Sequence, residues 1–268
     1  MRESGILMHI TSLPAPYGIG TMGKDAYAFV DFLVRAGQRY WQILPLTPTG
    51  YGDSPYQSLG ACAGNHYLID LDRLADEGLL KKEEIQNIPW GSNPARVDFG
   101  AMYAHRMNVL RQAFQRFTPD GAYETFVEQN RNWLEDYALF TALKDTLGGK
   151  PWLEWPEALR LRKADALAEK RRELSDEIRL QYFVQYEFDR QWKALRSYAN
   201  AKGVRIIGDV PIYVPLDSAD VWANPELFQL DESRHPEQVA GCPPDSFTAD
   251  GQLWGNPIYD WKKMAQTH

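Results

Sequence analysis

Cysteine is scarce in this sequence. Cys62 and Cys242 are the only two in 268 residues, and they lie outside any CxxC or histidine-rich pattern. This usage argues against a disulfide framework or a zinc site and favours a reducing compartment. The opening MRESGILMHI has no small-residue cleavage pattern, and no later apolar run reaches membrane-spanning length. These absences predict a cytoplasmic protein without a metal site or a membrane segment.

Positive charge is also in short supply. Lys and Arg total 29 against 36 Asp and Glu, which gives a net charge of −7 and a pI of about 5.3. This balance argues against a nucleic-acid or anionic-membrane partner. With 44% apolar residues and a mean hydropathy of −0.47, the composition is that of a soluble globular protein with one large or two small domains. Composition does not indicate the oligomeric state.

Aromatic residues are plentiful, and one loop concentrates them. Residues 45–72 combine turn-forming glycines and prolines with tyrosines and hydroxyl side chains. Sugars present apolar C–H faces to aromatic rings and hydroxyls to fixed donors and acceptors, so this mixture favours a glucan over a phosphate or a metal. An ordinary surface loop is the alternative. Four of the nine tryptophans also stand in Gly/Pro-rich segments, where we expect them outside the core: Trp90, Trp152, Trp155 and Trp254.

Strand and helix patterns alternate at both ends of the chain. Apolar positions from Lys24 to Val34 follow a helical period and are followed by Gly37, and a second helical stripe over residues 178–199 is followed by Gly203. Short apolar runs predict strands at residues 5–10, 39–46 and 205–214. The order helix, glycine, arginine, strand and proline recurs at fixed spacing, as a repeating (β/α) barrel would produce.

The fold class predicted from this pattern is an α/β protein with an incomplete (β/α)8 TIM barrel. We divide the chain into residues 1–72 (first barrel strands and donor-side loop), 73–175 (a large helical insertion) and 176–268 (third strand and acceptor-side loop). Loops after barrel strands carry the site, which places residues 45–64 and 215–257 on one rim, facing one another. Three strands do not close a barrel of eight, so we expect the remainder beyond residue 268 or on a partner.

Five ordered motifs carry a family resemblance. They are PLTPTGYGDSPYQSLGACAGNHYLIDL, WLEDYALFTALKD, GDVPIYV, DSADVWANPELF and VAGCPPDSFTADGQLWGNPIYDW. Together they closely resemble the amylomaltases, the 4-α-glucanotransferases of glycoside hydrolase family 77, over nearly all of the chain. The resemblance implies a cytoplasmic enzyme without a cofactor that transfers α-1,4-glucan segments from one maltodextrin to another with retained configuration.

A retaining transfer uses two carboxyl groups about 5 to 5.5 Å apart, one as nucleophile and one as acid and base. In the family these groups come from later barrel strands, and no RIDH-like strand follows Arg205 here. We therefore assign no catalytic residue and expect this chain, as an N-terminal portion, to be inactive alone. A maltodextrin hydrolase and a non-catalytic α-glucan-binding module are the alternatives.

The resemblance does assign substrate-binding residues. Ser54 and Tyr56 match the SPY of the donor-side loop, a hydroxyl and a ring for a sugar; simple turn packing is the alternative. Asp209 matches a substrate-binding aspartate at a strand end, although an aspartate there also caps turns or holds an arginine. Tyr51 matches a position linked to a second, remote glucan site, and His66 stands where the family commonly has proline, a departure expected to alter loop rigidity.

The acceptor side is matched by a second group. Asp245, Phe247 and Trp254 correspond to the flexible loop that covers the family's acceptor site and excludes water from the covalent intermediate. Asn256, in GNP, either binds sugar or fixes the turn.

Overall fold

The computed structural model describes residues 2–50, 52–93 and 95–267. They divide into two compact units. The first unit comprises the chain up to Pro48, Gly64–Asn130 and Leu180–Val210, and the second comprises Thr49–Ala63, Arg131–Arg179 and the chain from Pro211.

Helices dominate the described residues. They form eleven α-helices: α1 (Lys24–Arg35), α2 (Leu71–Asp76), α3 (Lys82–Gln86), α4 (Phe99–Arg116), α5 (Gly121–Gln129), α6 (Arg131–Thr146), α7 (Glu157–Arg160), α8 (Ala164–Glu173), α9 (Ser175–Ala201), α10 (Ala219–Ala223) and α11 (Trp261–Thr267). The same residues form five strands: β1 (Gly5–Leu7), β2 (Tyr40–Gln42), β3 (Arg205–Ile207), β4 (Val239–Cys242) and β5 (Gln252–Pro257). None of the described helices is long and apolar enough to cross a bilayer.

The first unit contains a parallel sheet of order β1-β2-β3. This confirms the three predicted strands, but each is only three residues long. Pairing ends early because the chain turns at Ile10–Ser12 after β1, and because Pro45 and Pro211 have no N–H to donate after β2 and β3. The predicted helix stops are confirmed by the left-handed φ of Gly37 (70°) and Gly203 (79°).

One face of this sheet lies in a continuous apolar core. Trp41 is fully buried and donates its indole N–H to the Met8 carbonyl at 2.7 Å. Side chains from α1, α4 and α9 complete the core of the unit. The strand predicted over residues 205–214 was too long, since β3 ends at Ile207 and the side chains of Val210 and Ile212 beyond it are 79% and 76% exposed.

The core of the second unit is built on tryptophans. The rings of Trp155 and Trp222 lie 5.6 Å apart, and Phe140 contacts both. Trp222 donates its indole N–H to the Leu159 carbonyl at 3.0 Å. Our expectation that Trp152 and Trp155 lie outside a core was wrong, because each is at least 95% buried; in the first unit Trp90 is also buried. Only the expectation for Trp254 is confirmed, at 42% exposure.

Residues 73–175, which the sequence predicts to be helical, contain α4, α5 and α6. The charge-rich helix α8 buries only Leu167 and is otherwise solvated. The segment 215–257, which the sequence predicts to be a loop, contains α10 and an antiparallel hairpin of β4 and β5. The fold is therefore α/β, with small sheets and a large helical share.

Candidate active site

The predicted donor-side loop forms a small hairpin in the second unit. Thr49 and Ser58 form an antiparallel bridge, and the Gly50 N–H donates to the Gln57 carbonyl at 3.0 Å. At the tip, Gly52 and Asp53 adopt left-handed φ values of 89° and 58°. Glycine suits such a conformation and aspartate tolerates it, so the turn chemistry of this sequence specifies the tip.

Ser54 and Tyr56 lie together at this tip. The Ser54 hydroxyl accepts the Tyr56 N–H at 3.3 Å, and the Ser54 carbonyl accepts the Gln57 N–H at 3.1 Å. Tyr56 is 42% exposed, so much of its ring is open to a ligand. The contacts of Ser54 therefore agree with the turn-packing alternative, while its second lone pair and the Tyr56 ring remain suited to a sugar. Tyr51 lies outside the described residues.

The chain leaving the tip is held at its backbone. The Asp220 carboxylate accepts the Ala61 N–H at 2.9 Å, and the Ala219 N–H donates to the Leu59 carbonyl at 2.9 Å. Burial raises the pKa of Asp220 and that of the neighbouring Cys62 thiol, and the Asp220 charge raises the latter further. A small cleft of about 60 Å³ lies beside them.

In the first unit, the segment following the loop is fixed by buried amides. The Asn65 N–H donates to the Leu46 carbonyl at 2.7 Å. Gln185 on α9 accepts the Gly64 N–H at 2.7 Å and donates to the Gly64 carbonyl at 3.0 Å. Gln191 pairs with the backbone of Asp70 in the same manner. These contacts satisfy backbone groups that burial would otherwise leave unpaired.

Asp209 lies in the first unit, just beyond β3. It is exposed, and its carboxylate accepts the N–H of Val210 at 2.8 Å. This local bond is what the turn-holding alternative describes. The exposure also leaves the carboxylate accessible to a ligand hydroxyl.

Asp245 and Phe247 lie in the connection between β4 and β5. The Asp245 carboxylate accepts the N–H groups of Thr248 at 2.9 Å and Phe247 at 2.8 Å, and these bonds lower the pKa of Asp245. Asp245 thus shapes the turn that presents Phe247, whose side chain is 92% exposed. An apolar ring held in water on an ordered turn is free to contact a partner.

Trp254 and Asn256 lie on β5. The Trp254 indole donates to the Gln252 side chain at 2.9 Å, and its ring lies 6.3 Å from that of Tyr213. Tyr213 stacks on Tyr259 at 5.7 Å with an interplanar angle of 15°. Asn256 is only 6% exposed, and it stands within a strand rather than in the turn that the sequence suggested.

Sequence reasoning missed Tyr213, Tyr259 and Asp220. All three stand in motifs that carry the family resemblance, GDVPIYV, NPIYDW and DSADVWANPELF, and that position was the available signal. The ring row of Trp254, Tyr213 and Tyr259 continues to Trp261, which is 66% exposed. Flat rings in series suit the apolar faces of consecutive sugars.

Two further observations concern other chemistries. Among the described residues, no three His, Cys, Asp or Glu side chains are grouped to hold a metal ion. In the first unit, a cleft of about 560 Å³ lies between residues 11–20 and 90–97. Its described lining contains Arg96 and small hydroxyl groups but no carboxylate. None of the described site residues predicted from the sequence lines it.

Known proteins resemble this chain closely. The family model described as 4-alpha-glucanotransferase, glycoside hydrolase family 77, matches residues 8–268. The 4-alpha-glucanotransferase of Streptococcus pneumoniae serotype 4 is 50% identical over 267 residues, which is 98% of this chain and 53% of that protein. The Thermus thermophilus 4-alpha-glucanotransferase is 52% identical over 266 residues, 97% of this chain and 52% of that protein.

Solved structures agree. The amylomaltase from Streptococcus agalactiae in complex with acarbose is similar with a TM-score of 0.95 and 48% identity, over 100% of this chain and 55% of that one. The chain thus spans about half the length of the relatives it matches. Because a family model covers nearly the whole sequence, the chain belongs to glycoside hydrolase family 77, the 4-alpha-glucanotransferase family.

Proposed function

We propose that this chain supplies the α-glucan-binding part of a 4-α-glucanotransferase, which moves α-1,4-glucan segments between maltodextrins. The observation that carries the proposal is the hairpin tip. It holds Ser54 and Tyr56 in a fixed turn with the tyrosine ring 42% exposed, in a chain whose family model names this activity. An α-1,4-glucan is the partner proposed for this surface.

The remaining substrate-binding assignments follow from the same family membership. Asp209 offers an exposed carboxylate to a sugar hydroxyl. Trp254 offers a ring, and Tyr213 and Tyr259 extend that ring row beyond the residues found from sequence. We assign Asn256 to holding the acceptor loop in place on β5, because its side chain is buried and little of it is accessible to a ligand.

The acceptor loop has a chemical role in this proposal. Transfer succeeds only if the covalent glucosyl intermediate meets a sugar hydroxyl before it meets water. Phe247 and Trp254 present apolar surface that a bound glucan would cover, and such surface excludes water from the reacting centre. We therefore propose that these residues favour transfer of the glucan over its hydrolysis.

We assign no catalytic carboxylate within residues 1–268. Asp220 and Asp245 are occupied with backbone N–H groups of their own unit, whereas a retaining mechanism needs two carboxyls about 5 to 5.5 Å apart across the scissile bond. We place that pair in the half of family members beyond the matched region, together with the remaining strands of an eight-stranded barrel. In this barrel, residues 73–175 form a helical insertion between residues 1–72 and residues 176–268. Two free cysteines agree with a cytoplasmic site of action.

A chimera tests the function directly. Residues 1–268 would replace the matched half of the Streptococcus pneumoniae relative, and the purified product would be incubated with maltotriose. We expect glucose together with maltotetraose and longer chains. Release of glucose and maltose alone would identify a hydrolase, and binding of glucan without any turnover would identify a binding module; either result contradicts the proposal.

A further inference from the structure

The segment preceding α10 is firmly attached within the second unit. Lys144 on α6 forms an ion pair with Asp217 at 2.5 Å. The Trp152 indole donates to the Leu216 carbonyl at 2.6 Å, and the Trp152 N–H donates to Asp217 at 3.2 Å. Trp152 is 1% exposed, so these bonds join the segment to a buried anchor.

Helix α10 starts where this attached segment ends. Ser218 is fully buried, and its hydroxyl accepts the Val221 N–H at 3.3 Å, which caps the helix. One turn of helix follows, and it carries Asp220 toward the loop. The helix is thus attached at its beginning and offers a carboxylate in a fixed position.

Two hydrogen bonds connect helix α10 to the loop and hold the loop at a fixed distance from it. They join Ala219 to Leu59 and Asp220 to Ala61, each at 2.9 Å. The second joins residues 159 positions apart in sequence. A bond from a charged acceptor to a backbone N–H is stronger than a neutral one, and it fixes direction as well as distance.

From Ala61 the restraint continues into the hairpin. The Ser58 hydroxyl accepts the Gly60 N–H at 3.1 Å and donates to the Gly60 carbonyl at 2.9 Å. A Cβ on Gly60 would lie 2.6 Å from Cδ2 of Tyr137, so the backbone approaches this ring as closely as a glycine allows. Ser58 in turn bridges to Thr49 at the base of the hairpin.

We propose that Asp220 is a positioning residue for the glucan-contacting hairpin: by holding the Ala61 N–H it orients Ser54 and Tyr56 without touching the glucan. The proposal rests on the proposed function, because it gives the hairpin its ligand. It also gives α6 and Trp152 a supporting role, because they hold the segment that precedes α10. Part of the helical region 73–175 thereby supports the glucan-contacting hairpin.

The carboxyl group is suited to this role rather than to chemistry. One oxygen is engaged by Ala61, and the half-buried side chain faces Cys62 and Tyr137 in addition to the loop backbone. A neutral amide of the same shape retains an oxygen acceptor, which makes Asp220→Asn a rescuing variant and Asp220→Ala a disrupting one.

The test uses the whole 268-residue chain and four variants. Maltoheptaose affinity would be measured by calorimetry, and amide hydrogen exchange would be followed in the peptide covering residues 53–63. We expect Asp220→Ala to weaken maltoheptaose binding about tenfold and to speed loop exchange by at least as much, whereas Asp220→Asn keeps both close to the unchanged chain. Leu167→Ala, which removes a buried apolar side chain on α8 of the same unit, should lower stability yet leave both readouts within twofold.

The outcomes distinguish a failure of this inference from a failure of the proposed function on which it rests. If Tyr56→Ala weakens binding but Asp220→Ala changes neither affinity nor loop exchange, the positioning role is wrong and the proposed function stands. If Leu167→Ala matches Asp220→Ala in both readouts, the aspartate acts only through general stability and the inference fails. If the unchanged chain does not bind maltoheptaose, the proposed function and the inference fail together.

Discussion

The side chain of Gln185 forms two hydrogen bonds with the backbone of a single residue, Gly64, which lies 121 positions earlier. Gln185 is 2% exposed. Replacing it with alanine would leave a buried N–H and a buried carbonyl unpaired, so we expect Gln185→Ala to lower the free energy of unfolding by about 2 kcal/mol. Urea denaturation followed by circular dichroism measures this.

Gln112→Ala is the matched control, because Gln112 is exposed on α4. Alanine suits an exposed helical position, and the control should stay within about 0.5 kcal/mol of the unchanged chain. Equal effects at positions 112 and 185 would show that the paired hydrogen bonds add nothing.

Gly64 itself cannot carry a side chain without a rearrangement. A Cβ there would lie 2.0 Å from Cδ1 of Phe188, a ring that is 9% exposed. We expect Gly64→Ala to cost about 2–4 kcal/mol through overpacking. Adding Phe188→Leu should return part of that loss, and a fully additive double variant would rule out the clash as its cause. Gly121→Ala, with open space around it, serves as the neutral control.

Trp254 is expected to govern the choice between sugar and water as acceptor. In the chimera, Trp254→Ala removes the exposed ring beside Tyr213, and we expect the ratio of hydrolysis to transfer with maltotriose to rise roughly three- to tenfold. Released reducing sugar and longer products, measured together, give the ratio. Leu253→Ala is the control, since that neighbour is 81% exposed. An unchanged ratio in the Trp254 variant would remove it from the acceptor site.

His66 makes the fold sensitive to acid. Burial, and then the charge of Arg106, lower the pKa of His66 to about 3. As the pH falls, His66 is protonated near pH 6.5 in the unfolded chain but stays neutral in the folded chain. The contribution of neutral His66 to the free energy of unfolding is therefore complete above pH 6.5 and is lost as the pH falls toward 3. His66 begins a 3₁₀ turn, a position that tolerates proline.

His66→Pro should therefore fold, and its urea midpoint should fall less than that of the unchanged chain between pH 7.5 and pH 5. We expect the difference to be worth roughly 1 kcal/mol, after allowing for partial exposure of the ring. Parallel midpoints for the two proteins across this range would show that His66 does not titrate between the folded and unfolded states.

Local sequence patterns predicted much of the fold because they report local physics. Apolar spacing and a following glycine identified α1 and α9, and short branched or aromatic runs identified the three parallel strands. Strand ends were less predictable. Whether residues 210 and 212 pair depends on a neighbouring strand that the local sequence does not describe, and both are exposed.

Tertiary packing explains why the expectation for Trp152 and Trp155 was wrong. Gly/Pro-rich surroundings suggested exposure for Trp152 and Trp155, but each ring finds a partner far along the chain: Trp152 bonds Leu216, and Trp155 packs on Trp222. The same holds for the site. The family resemblance located Ser54 and Tyr56, while the bond of Asp220 to Ala61 spans 159 residues and leaves no periodic signal.

The central claim is that the hairpin tip binds an α-glucan, and calorimetric titration of the chain with maltoheptaose tests it most directly. Tyr56→Ala removes the ring at the tip, and Tyr103→Ala removes a tyrosine that is 83% exposed on α4. We predict that Tyr56→Ala weakens binding at least tenfold while Tyr103→Ala leaves it unchanged. Equal affinities for the two variants would contradict the account.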